Sequence, residues 1–209
     1  TLKDGTISIS ATATDTAGNI STAGTSSFVL DTVAPTVVGV TDDVSAVTTK
    51  GNINFTVNFS EALRADPTVG HFTATNGVVN SVTALGGNAY VVNVTPTPGL
   101  NSANVSLSLN STSTVNGVQL TDKAGNAIVS ADLSASGSLG SNGDTQGIDT
   151  LAPTVVSVTD DVTNSHDISN HAFNFTVTFS EPLNINPTVG HFTATNGVVN
   201  SVTALGGNA

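Results

Sequence analysis

The segment Asp31-Thr-Val-Ala-Pro-Thr-Val-Val-Gly-Val-Thr-Asp-Asp43 returns almost unchanged as Asp149-Thr-Leu-Ala-Pro-Thr-Val-Val-Ser-Val-Thr-Asp-Asp161. A second segment, Pro67 to Ala89, returns letter for letter as Pro187 to Ala209. The first match has an offset of 118 residues (Pro35 to Pro153) and the second of 120 (Pro67 to Pro187), so the later copy carries a two-residue insertion between its Asp-Asp pair and Phe175. A period of this length is the size of one β-sandwich domain, and a chain that repeats at it is a tandem array. The 209 residues are therefore expected to hold one complete unit, 31–149, preceded by the C-terminal part of another (1–30) and followed by the N-terminal half of a third (150–209). The array is expected to run on past both ends. The half unit, with a sheet edge and an apolar face uncovered, is expected to be poorly stable unless another segment completes it.

Charge is scarce and one-sided: four Lys and Arg against fifteen Asp and Glu. That balance argues against nucleic acid or an anionic membrane surface as partner and favours cations. Trp and Cys are absent and aromatic residues make up 4%, so the core must come from Val, Leu, Ile and a few Phe, a set suited to strands. Without cysteine, neither disulfides nor thiolate metal sites hold the fold. No apolar run approaches a membrane span, and no signal-peptide pattern opens the chain.

Strict alternation marks the strands. Ile53, Phe55, Val57 and Phe59 alternate with Asn54, Thr56 and Asn58, which predicts a strand with one buried face. Thr6–Thr14 reads as a half-buried strand, Ser26–Leu30 as the last strand of its domain, and Thr36–Thr41 as the first strand of the complete unit. Val69–Ala74, Val78–Leu85, Ala89–Thr95 and Val105–Leu109 add four more, separated by Asn76-Gly77, Gly86-Gly87-Asn88 and the Pro96/Pro98 pair, with Val118–Leu120 leading into the next turn. Ser130–Gly147, dense in Ser and Gly, reads as an extended loop or weak edge strand. The fold class is all-β: tandem antiparallel sandwiches of immunoglobulin-like topology. Pro35 biases Ala34 to extended geometry, so the joint between units should be short and stiff.

The run Asp4 to Asn19 (DGTISISATATDTAGN), the D-T-x-A-P-T joints at 31–36 and 149–154, F-S-E-A-L at 59–63, F-S-E-P-L at 179–183 and T-D-K-A-G-N at 121–126 follow one another in a fairly specific order. In this the chain resembles the bacterial immunoglobulin-like repeats of giant surface adhesins of the biofilm-associated-protein type. The resemblance implies a secreted, extracellular stalk, often stiffened by calcium at domain joints. Cell adhesion, whether to a host or an abiotic surface, would then reside in other domains. The first partial repeat is worded differently from the other two, so at least two repeat subtypes alternate.

Asp31, Asp42, Asp43, Asp149, Asp160 and Asp161 lie in the two joints, and Asp15 and Asp122 in the turns that precede them. Loops of consecutive sandwiches meet there, and calcium takes six to eight oxygens of the kind that Asp, Asn and backbone carbonyls supply. These eight aspartates are the candidate calcium ligands, with Asp15, Asp31 and Asp42 as one set, Asp122, Asp149 and Asp160 as its counterpart, and Glu61 and Glu181 as secondary candidates. The bland alternative is a solvated acidic turn. His71, His191, His166 and His171 lack the further ligands a tetrahedral zinc site needs. No nucleophile elbow, acid–base pair or phosphate loop is visible, so no enzymatic activity is expected.

The reading that results is a structural spacer whose partners are its neighbouring repeats, with two rivals. One is a fibre of copies completed by strand exchange between half repeats. The other is a carbohydrate- or surface-binding module, for which Tyr90 is the sole Tyr or Trp platform.

Overall fold

The alternating run at 53–59 forms the strand it predicts: Ile53, Phe55, Val57 and Phe59 are buried while Asn54, Thr56 and Asn58 are half-exposed. In a computed structural model of the chain, which describes residues 2–44, 51–110, 119–128, 145–162 and 173–208, this strand lies inside an all-β fold. The strands are β1 (Gly5–Ala11), β2 (Gly24–Leu30), β3 (Val37–Asp42), β4 (Ile53–Phe59), β5 (Phe72–Thr75), β6 (Gly77–Gly86), β7 (Ala89–Pro96), β8 (Ala103–Leu109), β9 (Thr145–Ile148), β10 (Val155–Asp160) and β11 (Phe175–Phe179). No helix among the described residues is long and apolar enough to cross a membrane.

Two antiparallel sheets make the sandwich, one ordered β3-β4-β7-β6 and the other β5-β8-β9. Their facing side chains share one core: Val37, Val40, Ile53, Phe55, Val57, Tyr90, Val92 and Val94 from the first, Phe72, Val105, Leu107, Leu109 and Ile148 from the second. Burying one such side chain stabilises by roughly 1.5–3 kcal/mol, so these positions dominate the unit. The outer face of the first sheet is stitched by amides. Asn93 Nδ2 donates to Asn54 Oδ1 (2.6 Å), Asn52 and Asn80 both donate to Asn93 Oδ1, and Thr95 donates to Asn52 Oδ1. The change of sheet between β5 and β6 needs Gly77, where a Cβ would lie 2.7 Å from Val94 Cγ1 and 3.1 Å from the Thr95 carbonyl.

The chain divides into two compact units, residues 1–150 and 151–209. The second begins as the complete sandwich does: β10 and β11 pair in the register of β3 and β4, with the same irregularity, between Val37 and Gly39 in one and Val155 and Ser157 in the other. Beyond β11 the copies diverge. The segment 187–209 has the sequence of 67–89, yet it forms no strand among its described residues, whereas 67–89 contains the whole of β5 and of β6. Its turns persist: φ is 59° at Asn196, 93° at Gly206 and 63° at Gly207, against 55°, 91° and 63° at Asn76, Gly86 and Gly87. Turn dihedrals are set locally by Asn and Gly. A ladder needs a neighbour: in the complete sandwich β5 pairs with β8 and β6 with β7, and residues 151–209 hold no counterpart of either partner.

Several expectations shift at the edges. Residues 69–71 are a single 3-10 turn and the strand starts at Phe72, because His71 Nδ1 accepts a hydrogen bond from the Thr68 amide (3.0 Å) and curls the chain. Strand β1 ends at Ala11, and its side chains are almost all exposed where a half-buried strand was expected, since residues 1–30 form only the two-stranded ladder β1-β2. Leu120 is buried, but its neighbours Thr121 and Asp122 make isolated bridges to Ala127 and Leu63 in place of a strand; Val118 lies outside the described residues. Of the Ser- and Gly-rich segment, 145–148 is the edge strand β9 and 130–144 lies outside the described residues, as do His166 and His171.

Candidate metal centre

The turn Asp122-Lys-Ala-Gly-Asn126 is closed by its own aspartate. Asp122 Oδ1 accepts from the amides of Gly125 (2.6 Å) and Asn126 (2.8 Å), and Oδ2 from Asn126 Nδ2 (2.7 Å). Asp15 closes its turn in the same manner, accepting from the amides of Ala17 and Asn19 and from Asn19 Nδ2. The two turns differ in surroundings: Asp122 is buried, Asp15 is exposed. In the complete sandwich Asn126 has a second task, donating from Nδ2 to the backbone carbonyl of Asp31 (3.0 Å). The turn thereby draws the start of the joint against its own domain.

Asp31, Glu61 and Asp122 converge as a result, with one carboxylate oxygen of each within 4.8 Å of the others. Asp31 arrives from the end of β2, Glu61 from the corner after β4, and Asp122 from the bridge with Leu63. Two oxygens on opposite sides of a calcium ion are roughly 5 Å apart at Ca–O distances of about 2.3–2.6 Å, so separations within 4.8 Å are compatible with an ion of that size. All three ligands are hard oxygens, and Asp122 Oδ2 accepts a single hydrogen bond, leaving a lone pair for an ion. The residues present suit a divalent cation, which would neutralise three carboxylates held side by side.

Electrostatics at the cluster points the same way. Glu61 is pushed above its ordinary 4.5, first by burial and then by the charges of Asp31 and Asp122. For Asp122, burial raises the pKa, but hydrogen bonds from Asn126, Gly125 and Ala124 outweigh it and hold the carboxyl below 3.8. The two groups act on stability with opposite signs. The folded state binds the Glu61 proton more tightly than the unfolded chain, so without a cation its ionisation weakens the fold as pH rises from 4.5 through the raised value. The Asp122 contribution is present above 3.8 and is lost as pH falls through its lowered value. Glu61→Gln is expected to flatten the loss above 4.5 in chelator, and an added divalent cation should do the same for the unaltered chain. Denaturant midpoints against pH check this; an unchanged slope in Glu61→Gln contradicts it.

The other predicted ligands sit elsewhere. Asp42 is at the far end of β3 from Asp31, where its Oδ1 accepts from the Val44 amide (2.8 Å). Asp43 accepts from the amide and Nδ2 of Asn54 and pins the start of β4. Asp160 and Asp161 repeat these bonds with Val162 and Asn174, and the Asn174 contacts, backbone first, hold Asp161 below 3.8. So the grouping of Asp15, Asp31 and Asp42 does not form: Asp31 meets Asp122 and Glu61, while Asp42, Asp43, Asp160 and Asp161 close turns. Asp149 and Glu181 occupy the sequence positions of Asp31 and Glu61 in the second copy. Glu61 is only a secondary candidate on sequence because nothing local shows that a corner after β4 faces a turn 61 residues later. Asn126 was legible only as a turn residue. No protein-family model, curated protein or solved structure matches the chain.

Proposed function

We propose that the chain is a spacer: consecutive sandwich modules of an extracellular bacterial adhesin or surface filament, joined by short stiff links that calcium locks at Asp31, Glu61 and Asp122. The observation that carries this reading is how the Asp-Thr pair of each joint is held. At the first joint Asn126 of the following module grips the Asp31 carbonyl, while Thr32 Oγ1 donates to Asp4 of the preceding segment (2.8 Å). At the second, Thr150 is strapped to the 97–100 loop: its Oγ1 donates to the Thr97 carbonyl (2.8 Å) and accepts from the Leu100 amide (2.9 Å), and its amide donates to the Leu100 carbonyl (2.7 Å). The first link is held from both sides and the second from the module before it, and a link held in this way would transmit force and orientation as a stalk requires.

Completion of half repeats by strand exchange is the weaker reading. By their place before an Asp-Thr joint and their register, β1 and β2 correspond to β8 and β9. The sequence of 151–209 supplies counterparts of β3 to β6. Neither end supplies β7, the central strand on which β4 and β6 both pair. For the stiff joint, spin labels placed either side of residue 150 are expected to give a narrow distance distribution that broadens in Thr150→Val, which loses two side-chain hydrogen bonds at about 1 kcal/mol each. Equal widths in the two proteins would show that the strap does not set the link.

A further inference from the structure

Four Asn-Gly pairs occur in the chain, and two of them stand in one sequence that is held in two different ways. In an Asn-Gly pair the backbone is free to attack the asparagine side chain, because glycine has no Cβ to shield the amide nitrogen that follows. Asn76-Gly77 and Asn196-Gly197 lie at the same place in the identical segments 67–89 and 187–209, so their intrinsic reactivity is the same. Their resting geometry is the same too: φ is 55° at Asn76 and 59° at Asn196, and both residues are exposed. What differs is the tether. Asn76 Nδ2 donates to the Asn104 carbonyl (2.9 Å), the Asn76 carbonyl accepts from the Thr97 amide (2.9 Å), and Gly77 lies in the ladder opposite Pro96. Among the described residues neither Asn196 nor Gly197 makes a hydrogen bond, and no strand flanks them.

We propose that Asn196 is a site of spontaneous deamidation in the folded chain and that Asn76 is its protected twin. The Gly197 backbone nitrogen attacks Cγ of Asn196. A C–N bond forms, the Cγ–Nδ2 bond breaks, and Nδ2 leaves as ammonia, taking the hydrogen that the Gly197 nitrogen gives up. The cyclic imide that results then takes up one water. Opening at Cγ leaves aspartate, and opening at the backbone carbonyl leaves isoaspartate, in which the main chain runs through the side-chain methylene.

To reach the imide, the asparagine must rotate about ψ out of its left-handed turn until Cγ meets the next nitrogen. In the complete sandwich that rotation breaks the bonds to Asn104 and Thr97 and pulls Gly77 off the ladder, so the reaction waits for a local opening. At Asn196 nothing comparable has to break. The modification therefore distinguishes a unit in which the β5 and β6 sequences are paired from one in which they are not. Its products also differ in consequence. Isoaspartate at 196 lengthens the main chain just before 197–206 and shifts that segment against the register that β6 keeps. Aspartate at 76 would set a carboxylate against the Asn104 carbonyl, acceptor against acceptor, where the amide now donates.

The test is incubation of the 209-residue chain at mildly alkaline pH, where the amide proton is lost faster, followed by trypsin and mass spectrometry. Cleavage after Arg64 and Lys123 puts Asn76 in fragment 65–123 and Asn196 in 124–209. Fragment ions separate them from Asn116-Gly117 and Asn142-Gly143, which lie outside the described residues. Conversion at Asn196 is expected to rise with pH and to outpace that at Asn76 by about tenfold or more, since the ratio follows the opening equilibrium of the tethered turn. In strong denaturant the two identical segments should convert at one rate. Asn76 converting as fast as Asn196 in the folded chain overturns the proposal, as does an Asn196 that stays intact while the denatured chain converts at both sites.

Discussion

Phe55→Ala is expected to destabilise the complete sandwich by about 3–5 kcal/mol, while Phe175→Ala, the same substitution at the equivalent position of the next copy, shifts the unfolding free energy by less than about 0.5 kcal/mol. Both side chains lie in strands with the same partners in register, Phe55 opposite Asp42 and Phe175 opposite Asp160. They differ in what covers them: Phe55 is 0% exposed between two sheets, and Phe175 is 59% exposed on a two-stranded ladder. Removing a ring from a packed interior loses its transfer free energy and leaves a cavity, whereas removing one already in water loses little. Tyr90 makes the comparison readable. It is the only tyrosine, there is no tryptophan, and it is buried in β7 with its hydroxyl donating to Asp66 (3.1 Å) and its ring edge-on to Phe59. Its emission therefore follows the first unit alone. Burial first, then the hydrogen bond and charge of Asp66, push its pKa up to about 12, so the phenol stays neutral in any ordinary melt. The Tyr90 transition should fall by more than about 10 °C in Phe55→Ala. Equal losses for the two variants, followed by circular dichroism, would contradict the assignment of the core.

The contrast between the copies also shows what a reader of sequence can and cannot extract. Alternation at 53–59 carries both strand and buried face, since period two is a local property and the run is long. Turns are equally local: Asn76 and Asn196, Gly86 and Gly206, hold matching φ values in different surroundings. Pairing is not local, and 187–208 lacks the strands that the same letters form at 67–88. The candidate site follows the same division. That the turns at Asp15 and Asp122 would be carboxylate-closed, and that acidic residues gather at joints, can be read from residue types. Which acids meet cannot: Asp31 joins Glu61 and Asp122 across the fold, while the adjacent Asp42 and Asp43 are consumed by the amides of Val44 and Asn54. The buried His71 shows the same limit, since its Gly-His-Phe context is repeated at His191, which is exposed.

Calcium is expected to raise the stability of the first unit, and a chelator to remove the gain. With an affinity in the range of about 10⁻⁴–10⁻³ M that weak calcium sites show, roughly 10 mM calcium would correspond to about 1.4–2.7 kcal/mol of added stability through mass action. Much of that gain would be relief of repulsion among Asp31, Glu61 and Asp122, which after burial pushes Glu61 upward. Asp31→Asn/Glu61→Gln should melt higher than the parent in chelator, having less charge to hold together, and should no longer respond to calcium. Asp42→Asn should respond as the parent does, because its carboxylate closes a turn at the other end of β3. Magnesium, which needs near-octahedral oxygens at about 2.0–2.1 Å and sheds water reluctantly, should stabilise less at the same concentration.

The most direct test is an electron-density map of the joint from crystals grown with calcium. A peak held by Asp31, Glu61 and Asp122 at about 2.3–2.6 Å from one oxygen of each is the predicted result. Three carboxylates turned away from one another into solvent, with only water between them, would contradict the account.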